Sequence, residues 1–287
     1  MKITILLLFS LMLLATDKLP AYAFLGYDGR EWVVSVIEPN GDAKEIRLQQ
    51  EPHSFDYDFK NERVIYIGDN GTLYLYDKGH ESKISLPKTT SKYTQPSFLC
   101  SSNAFYAVEL LNGNSKSTQI ISVDLDTSHV TTVVQQNSSQ FEPSQINQQT
   151  LLFTNLVCNH GCGKLMQEIW KKDLVLGSSD QLTLLNAFSN NPSVHPNDHW
   201  LFFSSNKNES YHIWAKDLNS DKRAFEATEG SGMDSFVNAL AKGAFLYIRQ
   251  ERGDHALTYG DIEGNSYKIT LPKPYEKIRQ LKVNRCQ

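Results

Sequence analysis

A strand-like segment that ends in an aspartate occurs five times along the 287-residue chain at a nearly constant interval. "HIWAKDL" at 212–218 closely matches "EIWKKDL" at 168–174, and three weaker copies occur elsewhere. Successive final aspartates are 47, 49, 44 and 44 residues apart, which is within the range of known propeller repeats. These aspartates are Asp77, Asp124, Asp173, Asp217 and Asp261. A period of this length predicts an array of similar β units.

Each repeat contains four short β runs. An apolar run such as "WLFFSS" at 200–205 precedes the aspartate segment, and a turn and a further β run follow it. The aspartate carboxylate can accept a hydrogen bond from the backbone of that turn. Another strand comes first in each unit, near Ser54, Ser97, Ser144, Ser193 and Ser235. Four antiparallel strands joined by hairpins form a propeller blade.

Five complete units span about residues 51–271, and incomplete units flank them. The segment before them offers three strands, and "YEKIRQLKVN" after them offers one. The sequence therefore predicts an all-β fold, a six-bladed β-propeller of four-stranded antiparallel blades, with the ring closed by the C-terminal strand completing the N-terminal blade. A β-sandwich or two small β domains is the alternative. The sustained period and the absence of a linker favour one domain over 24–287.

The N-terminus has the pattern of an export signal. Lys2 supplies a positive charge, Ile3–Leu14 an apolar core, and Ala21-Tyr22-Ala23 a small-x-small cleavage site. The apolar run is short for a transmembrane span. Residues 1–23 are therefore predicted to be a signal peptide, with an uncleaved anchor as the alternative. The mature protein is expected to be periplasmic or secreted.

Four cysteines in an exported chain indicate disulfides more often than metal ligands. Cys158 and Cys162 are near enough in sequence to close a small loop, which leaves Cys100 and Cys286 as the second pair. Four cysteines allow three connectivities, so this pairing is one of several. A metal site built from Cys158, His160 and Cys162 is the other interpretation.

The unit "NPSVHPNDHWLFFSSNKNESYHIWAKDLNSDKRAFEAT" resembles the repeats of the TolB-type propeller family. The matching positions are Pro192, Ser193, Pro196, Asn197, Ile213, Trp214, Asp217, Leu218 and Thr228. The fourth blade matches at Pro143, Ser144, Ile169, Trp170, Asp173 and Leu174. The resemblance covers the propeller only, without the N-terminal α/β domain of TolB. The same repeat type occurs in peptidase propellers and sugar-acid lyases, so it implies a fold and leaves the activity open.

The first strand of each blade is expected to line the central channel, where polar side chains converge. Asp56 and Asp58 with His195 could hold a cation, and Lys282 with Arg279 could hold an anion or a partner carboxylate. The alternative is a hydrogen-bonded channel that holds only water. The full set of candidates is His53, Asp56, Asp58, Gln145, Asn147, His195, Asn238, Arg279 and Lys282.

Motifs for known chemistry are missing from the sequence, which contains no nucleophile elbow, zinc-protease helix, phosphate loop or dinucleotide fingerprint. The net charge of −4 gives no reason to expect nucleic acid or an anionic membrane as partner. We expect a non-catalytic protein-binding or scaffold module of the bacterial envelope, with no metal and no cofactor. The alternative is a metal-assisted lyase or hydrolase that acts on a sugar acid or lactone. Sequons at Asn70, Asn137 and Asn208 give weak support to a secreted eukaryotic protein.

Overall fold

The computed structural model describes residues 18–86, 91–158 and 165–286, with only the backbone of Asn70 and Cys158. In these ranges the chain forms six sheets of four antiparallel strands, which we call blades 1 to 6. Blade 1 contains β1 (Tyr22–Tyr27), β2 (Trp32–Ile37) and β3 (Ala43–Ile46). Blade 2 contains β4 (Ser54–Asp58), β5 (Arg63–Ile67), β6 (Leu73–Asp77) and β7 (His80–Lys83). Blade 3 contains β8 (Lys92–Phe98), β9 (Ala104–Leu110), β10 (Thr118–Asp124) and β11 (Val130–Val134).

The second half of the ring has the same construction. Blade 4 contains β12 (Ser139–Asn147), β13 (Thr150–Cys158), β14 (Leu165–Asp173) and β15 (Ser179–Gln181). Blade 5 contains β16 (Ser189–Val194), β17 (Trp200–Asn208), β18 (Ser210–Asp217) and β19 (Phe225–Glu226). Blade 6 contains β20 (Met233–Ala239), β21 (Ala244–Glu251), β22 (Asp254–Asp261) and β23 (Ser266–Lys268), and β24 (Lys277–Val283) follows. The described loops contain two 3₁₀ turns, at Asp69–Gly71 and Leu111–Gly113.

The last strand completes the first blade, as the sequence predicts. Blade 1 has the strand order β24-β1-β2-β3. Strand β24 pairs with β1 in antiparallel register from Tyr22–Val283 to Tyr27–Lys277, with one bulge. The predicted all-β six-bladed propeller and its closure by the C-terminal strand are therefore confirmed. The innermost strands are β24, β4, β8, β12, β16 and β20.

The hydrophobic core lies between the blades. The described residues form six buried apolar clusters, and each cluster combines side chains from two successive blades. Each blade therefore buries both of its faces, which explains why the second strands are continuous apolar runs. Phe153 and Phe202, at the centres of two such strands, are completely buried.

The recurring aspartates stabilise the turns that follow them. Asp124, Asp173, Asp217 and Asp261 each accept hydrogen bonds from backbone N–H groups two to four residues ahead, at 2.8–3.0 Å. Asp77 differs, because its strand continues into a two-residue turn at Lys78 and Gly79 with φ values of 47° and 86°. Both positive φ values are typical of a tight hairpin turn, which brings Asp77 opposite His80.

The threonine that closes the repeat binds the third strand of its own blade. In blade 5, Thr228 Oγ1 accepts a hydrogen bond from Ile213 N at 2.9 Å and donates one to Asp234 Oδ2 at 2.6 Å. In blade 4, Thr183 Oγ1 likewise accepts a hydrogen bond from Ile169 N and donates one to Glu168 Oε2. The threonine therefore has a structural role.

A disulfide ties the end of the chain to blade 3. Cys100 and Cys286 are bonded, with a Cα–Cα distance of 5.1 Å, which confirms this predicted pair. The predicted partner pair, Cys158 with Cys162, and the alternative metal site with His160 lie outside the described side chains.

Strand β1 begins before the predicted end of the signal peptide. Tyr22 pairs with Ile37 and Val283, and Asn284 N donates to Ala21 O at 2.9 Å. Cleavage after Ala23 would remove the first two residues of this strand. The domain boundary at residue 24 therefore stays a prediction, and cleavage there would shorten β1.

We expect a chain that begins at Phe24 to be less stable than one that begins at Lys18. Tyr22 is 4% exposed and belongs to the cluster between blades 6 and 1, so its loss should lower the free energy of unfolding by about 2–4 kcal/mol. Urea unfolding of both chains measures the difference. Tyr22→Ala in the longer chain separates loss of the tyrosine side chain from loss of backbone pairing. Equal stability of the two native-sequence chains and this variant would contradict the expectation.

Removal of the disulfide should also destabilise the ring. The bond joins residues 186 positions apart, so its loss releases a long closed loop of the unfolded chain and should cost about 2–5 kcal/mol. The double variant Cys100→Ser/Cys286→Ser avoids a free thiol that could mispair with Cys158 or Cys162. Thermal unfolding measures the effect, with exposed Ser101→Ala as control. An unchanged midpoint would show that strand pairing alone holds the ring closed.

Candidate functional site

The innermost strands all end at one face of the ring. We call it the tail face, because the tail, residues 284–286, lies there after β24. Arg285 Nη1 donates to Ser144 Oγ at 2.7 Å, and Cys286 is bonded to Cys100. Ser144 belongs to blade 4, which stands opposite blade 1 in a ring of six. The tail therefore crosses the channel at this face.

A chain of hydrogen bonds, which we call the channel belt, runs from blade to blade around the axis. In each step a polar side chain accepts from a backbone N–H of the next blade. The acceptor and donor pairs are Gln280 Oε1 with Phe55 N (3.0 Å), Ser54 Oγ with Gln95 N (3.1 Å), Gln95 Oε1 with Glu142 N (2.9 Å), Glu142 Oε2 with Asn191 N (2.8 Å) and Asn191 Oδ1 with Phe236 N (3.1 Å). The belt connects neighbouring blades by hydrogen bonds at five of the six junctions.

Backbone bulges place the belt residues. Five innermost strands contain a bulge with one extra residue relative to the second strand, and one residue of each of these bulges has a positive φ of 51–56°. A bulge leaves its extra residue unpaired and redirects its side chain. The bulge residues are Gln95, Glu142, Asn191, Phe236 and Gln280. Strand β4 pairs without a bulge, and Ser54 takes the equivalent role.

The sixth junction uses a different contact. Phe236 has no polar side chain, so blade 6 reaches blade 1 through Asn238, whose Nδ2 donates to Leu281 O at 2.8 Å. Asn238 is one of the predicted channel residues, and this bond gives it a role in closing the ring.

A cavity of about 130 Å³ lies beside the belt. Its volume is several times what one water molecule needs. Side chains from all six innermost strands and from the tail line it, including Glu142, Asn191, Asn238, Lys282 and Arg285. The channel is therefore polar and partly filled by charged groups.

Two cations face this cavity. Lys282 Nζ lies 3.6 Å from Asp56 Oδ1, and its side chain is 25% exposed. Burial lowers the pKa of Lys282, Asp56 opposes this effect, and the nearby charge of Arg285 adds to it. Burial likewise lowers the pKa of Arg285. The second oxygen of Asp56 accepts from Phe98 N at 2.7 Å, so this carboxylate is shared with the backbone of blade 3.

Glu142 is a carboxyl group of the channel whose neutral form is favoured by burial. Burial raises its pKa to about 7, against the opposing effects of hydrogen bonds and of Lys282. Its two oxygens accept from the backbone N–H and the side-chain amide of Asn191 at 2.8 and 3.0 Å. Its ionisation thus occurs near neutral pH and changes the charge of the cavity.

The structure brings three of the predicted residues together at the channel: Asp56, Asn238 and Lys282. Gln145 is buried beside them but bonds across to blade 3, where its Oε1 accepts from Cys100 N at 3.3 Å. Lys282 and Arg279, which were predicted to hold an anion together, do not face the same cavity. Arg285 of the tail is the second cation near Lys282.

The other predicted residues lie away from the cavity. Arg279 stacks on Trp32 with its guanidinium 3.9 Å from the ring centre, and it donates to Pro52 O. Asp58 forms an ion pair with Arg63 at 2.7 Å. Asn147 bonds its own turn through Gln149 N. His53 is exposed, and its Nε2 lies 3.2 Å from Asp69 Oδ1.

The predicted cation site is not assembled from its three residues. His195 lies on the loop after β16, where its Nδ1 accepts from Asn197 N at 3.2 Å, while Asp58 is engaged by Arg63. Among the described residues, no group of three or more His, Cys, Asp or Glu side chains is arranged to hold a metal ion.

Sequence reasoning missed the belt residues and Arg285. A signal for the belt existed, since a polar residue precedes Pro-Ser in three blades, at Gln95, Glu142 and Asn191. Arg285 gave no such signal, because it lies beyond the last strand and its position depends on the tail.

Two wider depressions flank the tail on the tail face. One of about 380 Å³ lies over blades 2 and 3 and is lined by Asp56, Arg63, Phe98 and Arg285 among others. The other, of about 550 Å³, lies between residues 18–20 and blade 6. Arg285 lines both the first depression and the channel cavity, so it connects them.

We expect Glu142 to make stability depend on pH. Its pKa of about 7 exceeds the usual 4.5, so the folded state holds a proton that the unfolded state releases. This contribution is complete below pH 4.5 and is lost as the pH rises to about 7. Glu142→Gln should therefore gain stability relative to the native protein, by up to about 3 kcal/mol between pH 4.5 and pH 8.

Chemical unfolding at both pH values measures that difference. Glu209→Gln, on an exposed turn, is the matched control and should show no such change. If the free energies of unfolding of the Glu142 variant and the native protein differ by the same amount at both pH values, the raised pKa is contradicted.

Comparison with known proteins finds relatives by structure only. A scan of protein-family models gives no match, and no curated protein sequence is similar to the chain. The crystal structure of TolB from Acinetobacter baumannii is similar, with a TM-score of 0.70 and 16% sequence identity over 91% of this chain and 66% of that chain. This chain therefore spans just under two thirds of that TolB.

Two other solved structures are similar in the same way. A putative TolB from Agrobacterium tumefaciens has a TM-score of 0.65 and 11% identity, with 86% of this chain and 87% of that chain covered. Oligogalacturonate lyase in complex with manganese has a TM-score of 0.61 and 12% identity, over 88% and 74%. These likenesses show that the chain has the fold of the TolB-type six-bladed β-propellers.

Proposed function

We propose that this chain is a non-catalytic protein-binding module of the bacterial envelope, and that it binds its partner at the tail face. The observation that carries the proposal is the concave shape of this face. Depressions of about 380 and 550 Å³ flank the tail, and Arg285 links one of them to the channel. Concave surfaces with a few convergent polar groups are typical of binding sites.

The location in the envelope is supported by the disulfide and by the N-terminal sequence. Disulfides persist in oxidising compartments such as the periplasm, and Cys100–Cys286 is formed. The apolar run after Lys2 has the length of a signal-peptide core. Within the described residues, no helix is long and apolar enough to cross a membrane. The protein is accordingly proposed to act in the periplasm or after secretion.

The similarity to TolB structures agrees with a binding role, and the similarity to a lyase keeps a catalytic role as the alternative. The lyase structure contains manganese. Among the residues that the structure describes, the charged groups of the channel are Lys282, Arg285, Asp56 and Glu142, and Asp56 already contacts Phe98 N and Lys282. This donor set suits recognition of an anion better than coordination of a cation.

Affinity capture from an envelope extract tests the binding role. Immobilised native protein should retain the same partner in independent preparations. Ala241→Glu places a charge in the 550 Å³ depression of the tail face, at an exposed residue, and should reduce capture at least fivefold.

Ser115→Glu is the matched control, because it adds the same charge to an exposed loop at the opposite face. It should leave capture unchanged. Failure to retain any reproducible partner, or equal capture by both variants, would reject the tail face as the binding surface.

A further inference from the structure

We propose that the channel cavity binds a carboxylate group of its ligand, held between Lys282 and Arg285. The proposal rests on the proposed function in one respect, namely that the channel belongs to the binding surface. Three observations carry it: the two cations share one cavity, their counter-charge is incomplete, and the remaining charge balance calls for a monovalent anion.

The first observation is the convergence of the two cations. Lys282 comes from β24 and Arg285 from the tail, three residues later, and both line the cavity of about 130 Å³. Arg285 lies near enough for its charge to lower the pKa of Lys282. Like charges held together in a partly buried site favour an anion between them.

The second observation is the incomplete counter-charge. Asp56 is the nearby carboxylate, but it lies 3.6 Å from Lys282 Nζ and its other oxygen is bound by Phe98 N. The hydrogen bond of Arg285 within the described part of the chain goes to the neutral Ser144 Oγ. A guanidinium has five N–H donors, so the remaining ones are available to a ligand.

The third observation is the charge balance, which selects a monovalent anion. With Glu142 protonated, the cavity carries two positive charges and the one negative charge of Asp56. One carboxylate neutralises this site, whereas a phosphate dianion would overcompensate it. A planar carboxylate also matches the fork of an arginine side chain.

Glu142 gives the site a dependence on pH. Glu142 shares the cavity with Lys282 on β24 and Arg285 in the tail, and Lys282 lies beside Asp56 on β4. Burial and the charge of Glu142 also raise the pKa of Tyr211 on β18. As the pH rises through about 7, Glu142 ionises and supplies the missing negative charge itself. A carboxylate ligand should therefore bind more tightly at pH 6 than at pH 8.

Titration with sodium acetate at constant ionic strength, followed by NMR of backbone amides, tests the site. At pH 6 the amide signals of the channel belt should shift saturably, and acetamide, which is neutral, should cause no shift. Lys282→Met should weaken acetate binding at least tenfold. Arg285→Met, which changes the tail and no strand, should do the same, while Lys277→Met on the exposed end of β24 should stay within twofold of the native protein.

Two further arms distinguish the source of the carboxylate and the role of Glu142. Acetyl-Gly-Gly with a free carboxylate, compared with its amide, shows whether the site accepts a peptide terminus; binding of acetate without the peptide supports a small organic acid. The affinity of the native protein for acetate should fall about tenfold from pH 6 to pH 8, and Glu142→Gln should abolish that fall. Equal affinity at both pH values in the native protein would overturn the role of Glu142.

The inference is overturned if neither acetate nor the peptide acid shifts the belt signals, or if the Lys282 and Lys277 variants bind equally. Its failure is distinguishable from failure of the proposed function. Capture of a partner by a protein that binds no carboxylate keeps the binding module and removes the site. Carboxylate binding without any captured partner keeps the site and removes the protein-binding role.

Discussion

The pairing of β24 with β1 is the contact on which the rest of the ring depends. Each apolar cluster lies between two blades, so a blade without two neighbours would expose one of its faces. The ring must therefore close, and the two ends of the chain meet at the closure. The same closure brings the tail across the channel, where the Cys100–Cys286 bond fixes it. Fold stability and placement of Arg285 thus have a common origin.

The channel belt satisfies a second requirement of the architecture. The innermost strands have no strand neighbour on the axis side, so their edge N–H groups need other acceptors. In four of these strands the bulge residue donates its N–H to a side chain of the preceding blade, as in the bond between Glu142 N and Gln95 Oε1. Most polar groups at the axis are therefore used by the ring itself. Lys282 and Arg285 are used only in part, by one contact to Asp56 and one hydrogen bond to Ser144, which is why the candidate site centres on them.

The blades, their number and the split first blade follow from the repeat period, and the six innermost strands are the ones that the sequence indicates. The side chains at the axis could not be predicted as well, because the bulges interrupt the simple alternation of a strand. Positive φ is common for Gly and Asn, yet Gln95, Glu142, Phe236 and Gln280 adopt it here. Tertiary bonds between blades override local preference at these positions. Arg279 illustrates the result: it lies on an innermost strand but stacks on Trp32 outside the cavity.

The charges of the cavity link folding, pH and binding in one balance. Burial lowers the pKa values of Lys282 and Arg285, which means that the folded state bears a cost for holding both cations. Ionised Glu142 offsets part of that cost, and so would a bound anion. Because both act on the same cations, each must weaken the other by an equal free energy. A carboxylate ligand therefore raises the pKa of Glu142, and the site responds most strongly to pH near the value of about 7 at which this residue titrates.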